Sequence, residues 1–229
     1  MKKKVLVVDI GGTNVKLLMS ARDQRKFPSG PRMTPRAMIV QFKEAVRGWN
    51  FHAISIGFPA PVRKGRVVRE PKHLGKGWVG FDFSKALGKP ARMVNDAAMQ
   101  ALGSYHGGRM LFLGLGTGLG SALVWQKTLF PLELGDLPYR DGDIIEEWLG
   151  QPGLERLGRK KWMREVEHAI GQLKRSFIAD NVVLGGGNAR FFKKLPAGIE
   201  TGDNRNAFRG GVRLWDKDPK THREKWLVI

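Results

Sequence analysis

Val5-Leu6-Val7-Val8-Asp9-Ile10-Gly11-Gly12-Thr13-Asn14-Val15-Lys16 is the stretch from which the fold is read. The β-branched run Val5–Ile10 predicts a strand, Gly11–Asn14 a tight turn, and Val15–Met19 a returning strand. Two glycines after a strand let the backbone come close to an anion, and successive N–H groups there can form a nest. Thr13 and Asn14 add side-chain donors, Lys16 adds a cation, and Asp9 at the strand end is placed to hold a hydrated Mg²⁺ near phosphates. Gly-Gly suits a plain hairpin equally well. The motif alone therefore leaves phosphate binding and simple chain reversal both open.

Glycine turns after a strand recur twice more. Strands predicted at Met110–Leu115 and Ser121–Trp125 are joined by Gly116-Thr117-Gly118-Leu119-Gly120. No Lys-Ser or Lys-Thr follows, so this is not a Walker A loop, and Ser121 stands where a dinucleotide-binding fold would place its third glycine. Alternating glycines weaken a sheet, so either a ligand approaches the backbone or the bend is closely packed. Val182–Leu184 ends in Gly185-Gly186-Gly187, predicted to enter a helix, where a nucleotide or phosphate could lie against the backbone or the loop could simply be flexible. A fourth signal is Met93-Val94-Asn95-Asp96-Ala97-Ala98, a strand running into a helix predicted over Asn95–Tyr105. An Asp there can accept a proton from a hydroxyl. Asn and Asp are also preferred N-caps, although capping needs only one of them.

The remaining pattern predicts helices over Pro35–Trp49, Asp143–Leu149, Lys160–Ile178 and Asn206–Trp215, and a buried strand at Ala53–Gly57. Pro28–Pro35, Pro59–Gly80 and Phe130–Gly142 read as loops, the second with a hairpin at Lys64-Gly65, and the charged tail Asp216–Lys225 as frayed. Two lobes follow, each a sheet with helices, over 1–97 and 98–229. The chain carries 40 Lys and Arg against 21 Asp and Glu, a net charge of +19, which attracts polyanions unless it is only a solvated surface. There is no cysteine, which excludes disulfides, thiolate metal sites and a Cys nucleophile. The five histidines show no metal-ligand spacing, and the Trp and Phe residues form no stacking platform for single-stranded nucleic acid. The Met1-Lys2-Lys3-Lys4 start is followed by too short an apolar run for a signal peptide, and no stretch approaches the ~18 apolar residues of a membrane span. A cytoplasmic protein with no membrane partner is expected.

The order of these pieces resembles the ROK family of sugar kinases, over about residues 4–215. Asp9–Lys16 looks like the family's first phosphate motif and Leu113–Ser121 like its second. Gly57-Phe58-Pro59-Ala60-Pro61-Val62 looks like its Gly-x-Pro-Gly loop, with Ala60 for the second Gly. Asn95-Asp96 matches the sugar-binding and catalytic pair, Glu133-Leu134-Gly135-Asp136 resembles Glu-x-Gly-His, and Gly185–Gly187 resemble the adenosine-side glycines. Gly65-Arg66-Val67-Val68, Lys76-Gly77-Trp78-Val79-Gly80 and the cysteine-free Leu129–Glu133 region are most similar to the polyphosphate glucokinase branch. With the first strand starting at about residue 4, there is no room for the winged helix of repressor members.

The resemblance implies an α/β, two-lobed actin/hexokinase-type (ribonuclease H-like) fold with the active site in the cleft between lobes. It implies a hexose kinase, foremost a glucokinase, moving a phosphoryl group from polyphosphate, ATP or both to the 6-hydroxyl, with Asp96 as general base. Asn95, Glu133, Glu146 and Pro59 would face the sugar, with Glu147 the rival of Glu146. Asp9, Gly11, Gly12, Thr13, Asn14, Lys16, Gly116, Thr117, Gly118 and Gly120 would surround phosphates, Gly185, Gly186 and Gly187 the donor, and Asp9 the Mg²⁺. No zinc, no specific nucleic acid and a homodimer complete the expectation. Another hexose such as mannose, or a non-catalytic polyanion- or nucleic-acid-binding protein on a kinase scaffold, are the competing readings. Asp136 departs from the family's His: an ionised Asp only accepts hydrogen bonds, and clustered carboxylates raise one another's pKa. Either it enters the sugar pocket, or it turns to solvent or pairs with Arg140.

Overall fold

A computed structural model describes residues 3–20, 22–203 and 205–229. Met1 and Lys2 of the basic start lie outside the described residues. The chain runs β1 (Val5–Ile10), β2 (Asn14–Leu18), β3 (Gln24–Pro28), α1 (Pro35–Ala45), β4 (Ala53–Phe58), β5 (Val62–Arg63), β6 (Arg66–Val67), α2 (Phe83–Leu87), β7 (Ala91–Asn95) and α3 (Asp96–Ser104). It continues β8 (Met110–Leu115), β9 (Leu119–Trp125), β10 (Thr128–Leu132), α4 (Ile145–Leu149), α5 (Gln151–Leu157), α6 (Arg159–Ser176), β11 (Asn181–Gly185), β12 (Ile199–Thr201), α7 (Asn206–Arg213) and β13 (Leu227–Val228).

The strands form two large sheets with one topology used twice. The first has the order β3-β2-β1-β4-β7; the second contains β10-β9-β8-β11-β12, with β13 added at one edge. In both, the first three strands are antiparallel and the last two join parallel to the first. The turn Gly11–Thr13 between β1 and β2 is thus the topological counterpart of Gly116–Gly118 between β8 and β9. This pair of sheets, with helices on both faces, is the α/β, two-lobed actin/hexokinase-type architecture.

Helices α3 and α7 lie between the two sheets. Met99 and Leu102 of α3 pack with Val5, Val7 and Leu18 of the first sheet and with Met110, Phe112 and Val124 of the second. The outer face of the first sheet is covered by α1 through Met38, Ile39 and Phe42. The outer face of the second is covered by α6 through Trp162, Val166 and Ile170, which repeat at helical spacing. Helix α7 returns late in the chain to the first sheet. Its Gly211 lies against Val7, and the Ser55 hydroxyl donates to the Gly211 carbonyl at 2.5 Å. Where α3 crosses α7, glycines bring the backbones together: a Cβ on Gly210 would collide with the Met99 carbonyl.

Several sequence expectations are corrected. Pro28, expected to begin a loop, ends the edge strand β3, a polar segment in which only Phe27 is buried because an edge strand needs little apolar surface. Phe130–Leu132, expected as loop, belongs to β10, and Pro131 is tolerated because β13 pairs only with Thr128 and Leu129. The tail expected to fray is tied down: Lys217 and Glu224 form a β-bridge, Asp218 accepts from Lys127 at 2.9 Å, and Arg92 pairs with Glu224. The hairpin at Lys64-Gly65 is present, both residues having the positive φ its turn requires, 51° and 70°.

The α3–α7 crossing holds the cleft together, so Gly210→Ala is expected to lower unfolding free energy by roughly 1–3 kcal/mol in urea denaturation, the usual cost of overpacking.

Candidate active site

The cleft is built around the first turn of α3. Strand β7 ends at Asn95, whose side-chain oxygen accepts from the Ala98 N–H at 3.1 Å and caps the helix. Capping therefore takes Asn95 and leaves Asp96 for something else. Asp96 opens α3, and one carboxylate oxygen accepts from the Ala97 N–H at 2.8 Å while the group faces a cavity of about 320 Å³. One helical turn on, Gln100 lines the same cavity and a second one behind it.

Both glycine turns reach this point. Gly11 and Gly12 line the cavity from the first sheet, and Gly116, Thr117, Gly118 and Gly120 from the second. The alternating glycines have two different reasons. A Cβ on Gly120 would come within 2.8 Å of the Ala97 Cβ, and one on Gly118 would strike the Glu146 carboxylate, so close packing explains these positions. Gly116 meets no protein atom and is open to a ligand. Thr13 and Asn14 line neither cavity: the Thr13 carbonyl accepts from Ser29 and the Asn14 carbonyl from Gly11, both at 2.9 Å, which closes the hairpin.

Pro59, Glu133, Asp136 and Glu146 line the other side of the cavity. Glu146, not Glu147, faces inward, and its Oε2 accepts from the Leu119 N–H at 3.2 Å. Asp136 does not pair with Arg140, which binds Glu165 at 2.9 Å. Its partner is Arg69, at 3.0 Å, and the same guanidinium lies 3.8 Å from Glu133. Arg69, Lys72 and His73 also line the cavity, and the basic Gly- and Pro-rich stretch that carries them reads from sequence only as loop. The missing signal is their proximity to Glu70 and Trp78. The Glu70 carboxylate accepts from the Gly77, Trp78 and Val79 N–H groups at 3.1, 3.2 and 3.3 Å, and Trp78 is buried between Phe58 and Phe83. The loop is thereby folded back over the cleft.

The second cavity, about 510 Å³, is lined by Asp9, Lys16, Gly185, Gly186, Gly187 and the start of α7. Gly186 lies at φ 80°, and a Cβ there would collide with the Leu115 carbonyl, so the glycine run lets β11 pass the second glycine turn. It enters a short 3₁₀ turn (Gly187–Phe191), not the helix expected.

Enclosure dominates the electrostatics. Burial, then the charges of Asp9 and Glu133, raise the Asp96 pKa to about 7 against the Ala97 hydrogen bond. Burial also raises Asp9, with Lys16 at 3.8 Å opposing it, and raises Glu133, with Arg69 opposing it. A carboxylate that titrates near neutrality within reach of two phosphate-sized glycine turns has the character of a general base. Asp9 is a single carboxylate beside the first turn. That suits Mg²⁺, which keeps several waters and takes one or two carboxylates plus phosphate oxygens.

A family model described as "ROK family" matches residues 5–131. The polyphosphate glucokinase of Mycobacterium tuberculosis is 26% identical over 206 residues, covering 80% of this chain and 77% of that protein. The solved inorganic polyphosphate/ATP-glucomannokinase from Arthrobacter sp. strain KM superposes with a TM-score of 0.77 at 22% identity, over 91% of this chain and 96% of that one. A ROK family glucokinase from Streptomyces griseus, solved with glucose and AMPPNP, gives a TM-score of 0.72 at 15% identity over 92% and 98%.

A folded-state pKa of about 7, against 3.8 for the free carboxyl, means that folding favours protonated Asp96. The cost of the enclosed charge is absent below the unfolded pKa and complete above about pH 7. Asp96→Asn is expected to raise Tm over wild type at pH 8, with the gain shrinking as pH falls to 5; a gain independent of pH would mean the carboxylate is not enclosed.

Proposed function

The chain belongs to the ROK family, and from that premise we propose that it is a hexose kinase whose first acceptor is glucose and whose donor is polyphosphate, ATP or both. The observation that carries the reading is Asp96: a carboxylate with its pKa raised to about 7, at the start of a helix where both glycine turns converge. As the sugar's 6-hydroxyl oxygen attacks the terminal phosphoryl group, Asp96 takes the hydroxyl proton. The new O–P bond forms as the bond to the rest of the donor breaks. Asn95 has its side-chain oxygen committed to capping and offers its amide hydrogens to a sugar oxygen. Glu133, Glu146 and Asp136 accept from hydroxyls, and Pro59 closes the pocket wall. The Gly12 and Gly118 N–H groups, with Thr117, take the phosphoryl oxygens; Gly11 and Gly116 hold the two turns closed by donating to the Asn14 and Gly118 carbonyls, and Gly185–Gly187 border the rest of the donor. Catalysis of this kind rests mainly on positioning and charge stabilisation.

Mg²⁺, held through water by Asp9, would offset donor charge. Thr13 and Asn14 act only by shaping the first turn. The division into lobes 1–97 and 98–229 and a homodimeric state belong to the same proposal; the repeated strand order supports the division. The net charge of +19 favours a polyanionic donor.

Glucose, mannose and other hexoses tested against ATP and polyphosphates of several lengths, with a coupled assay for the sugar 6-phosphate, decide the substrates. No product with any pair would end the kinase reading. Asp96→Asn is expected to lower kcat ~10²–10⁴-fold with sugar binding largely kept; turnover within a few-fold of wild type would remove Asp96 as the base.

A further inference from the structure

The acceptor side of the cleft contains more than carboxylates. Arg69 and Lys72 lie three residues apart on the loop after β6 and reach across to side chains carried by the second sheet's half of the molecule. Arg69 bridges Asp136 at 3.0 Å and Glu133 at 3.8 Å, and Lys72 Nζ donates to Glu146 Oε1 at 2.6 Å. All five line the same cavity. The stretch of loop that carries both cations is fixed by its neighbours. Between them, Glu70 is fixed by three backbone N–H groups, and next to Lys72, His73 packs on Gly12, where an added Cβ would lie 2.9 Å from the His73 Cβ.

A sugar needs both kinds of partner. Each hydroxyl donates one hydrogen bond and accepts others. A wall of Glu133, Asp136 and Glu146 alone would leave the acceptor capacity of buried sugar oxygens unmet, which costs free energy. A carboxylate with a cation beside it solves this for two adjacent hydroxyls: one donates to the carboxylate while its neighbour accepts from the cation. Glu146 is held on one oxygen by the Leu119 N–H and on the other by Lys72, so its orientation is set before any sugar arrives.

We propose that Lys72 and Arg69 are specificity-determining residues of the acceptor site, forming with Glu146 and with Glu133–Asp136 two carboxylate–cation pairs that each grip adjacent hydroxyls of a neutral hexose. The inference rests on the hexose kinase reading and extends it to residues of the loop after β6. Hydrogen bonding to Glu146 raises the Lys72 pKa, so the donor stays charged throughout the neutral range. A positive charge in this position also disfavours a cationic amino sugar relative to its neutral counterpart. A simple latch, in which the cations only tie the loop to the far carboxylates, makes the opposite kinetic prediction: the sugar would then compete with Lys72 and Arg69, and their removal would tighten its binding.

The test is steady-state kinetics of Lys72→Met, Arg69→Met and Lys72→Gln with glucose at saturating donor, with Tm measured for each variant. Expected is a rise in KM for glucose of roughly 10–100-fold in the Met variants, the range for losing a charged hydrogen bond, with kcat changed by only a few-fold and the donor's KM unchanged. Lys72→Gln, which keeps an N–H donor, should recover part of the loss. It should also raise kcat/KM for 2-amino-2-deoxyglucose relative to glucose several-fold at pH 7. If a Met variant is unfolded, Lys72→Gln alone carries both readouts. A glucose KM that is unchanged or lower in folded variants overturns the inference while leaving the kinase reading intact. A wild type that phosphorylates no hexose ends the parent reading and this one with it.

Discussion

The surrounding structure is organised about one carboxylate held half-buried on the wall of the cleft, that of Asp96. The carboxylate opens α3 in the cavity that both glycine turns line, and burial outweighs the Ala97 hydrogen bond in setting its pKa. The structure around it follows from keeping that position. Asn95 caps the helix so that Asp96 need not. Gly120 lets the second glycine turn rest on Ala97, and the glycines of α3 and α7 allow those helices to cross with their backbones in contact.

The same strand order in the two sheets explains why two glycine turns face one carboxylate. Each turn follows the first strand of its sheet, and packing both sheets on α3 and α7 brings the turns to the same end of α3. This convergence is partly legible in the amino-acid sequence, since β-branched runs followed by Gly-rich turns mark Asp9–Gly12 and Gly114–Gly120, and a polar pair after an apolar strand marks Asn95-Asp96. Illegible were features set by distant contacts. Glu146 could be separated from Glu147 only by its contact with Leu119, 27 residues away. Asp136 finds Arg69, not the nearer Arg140, because the loop over the cleft is closer in space than in sequence. The polar edge strand β3 and the tail's pairing to β10 also depend on neighbours that no local pattern names.

Charge has two uses in this chain. Over the whole chain, 40 basic residues against 21 acidic ones create a positive field that attracts anions. Inside the cleft the balance reverses, and the carboxylates Asp96, Glu133, Asp136 and Glu146 outnumber the cations Arg69 and Lys72. Of these carboxylates Glu133 raises the Asp96 pKa, after burial and Asp9, while Arg69 opposes the rise at Glu133 itself. The cleft wall at Glu133 and Asp96 are therefore electrostatically linked.

The pH dependence of kcat/KM for the sugar, measured with the donor well below its own KM, tests this account most directly. The free enzyme's essential base sets the acid limb of that profile. With Asp96 at about 7, activity should fall tenfold per pH unit below about pH 6.5 and level off above about pH 7.5. A profile that stays flat from pH 8 down to about pH 5 would contradict it, since an ordinary Asp titrates near 3.9.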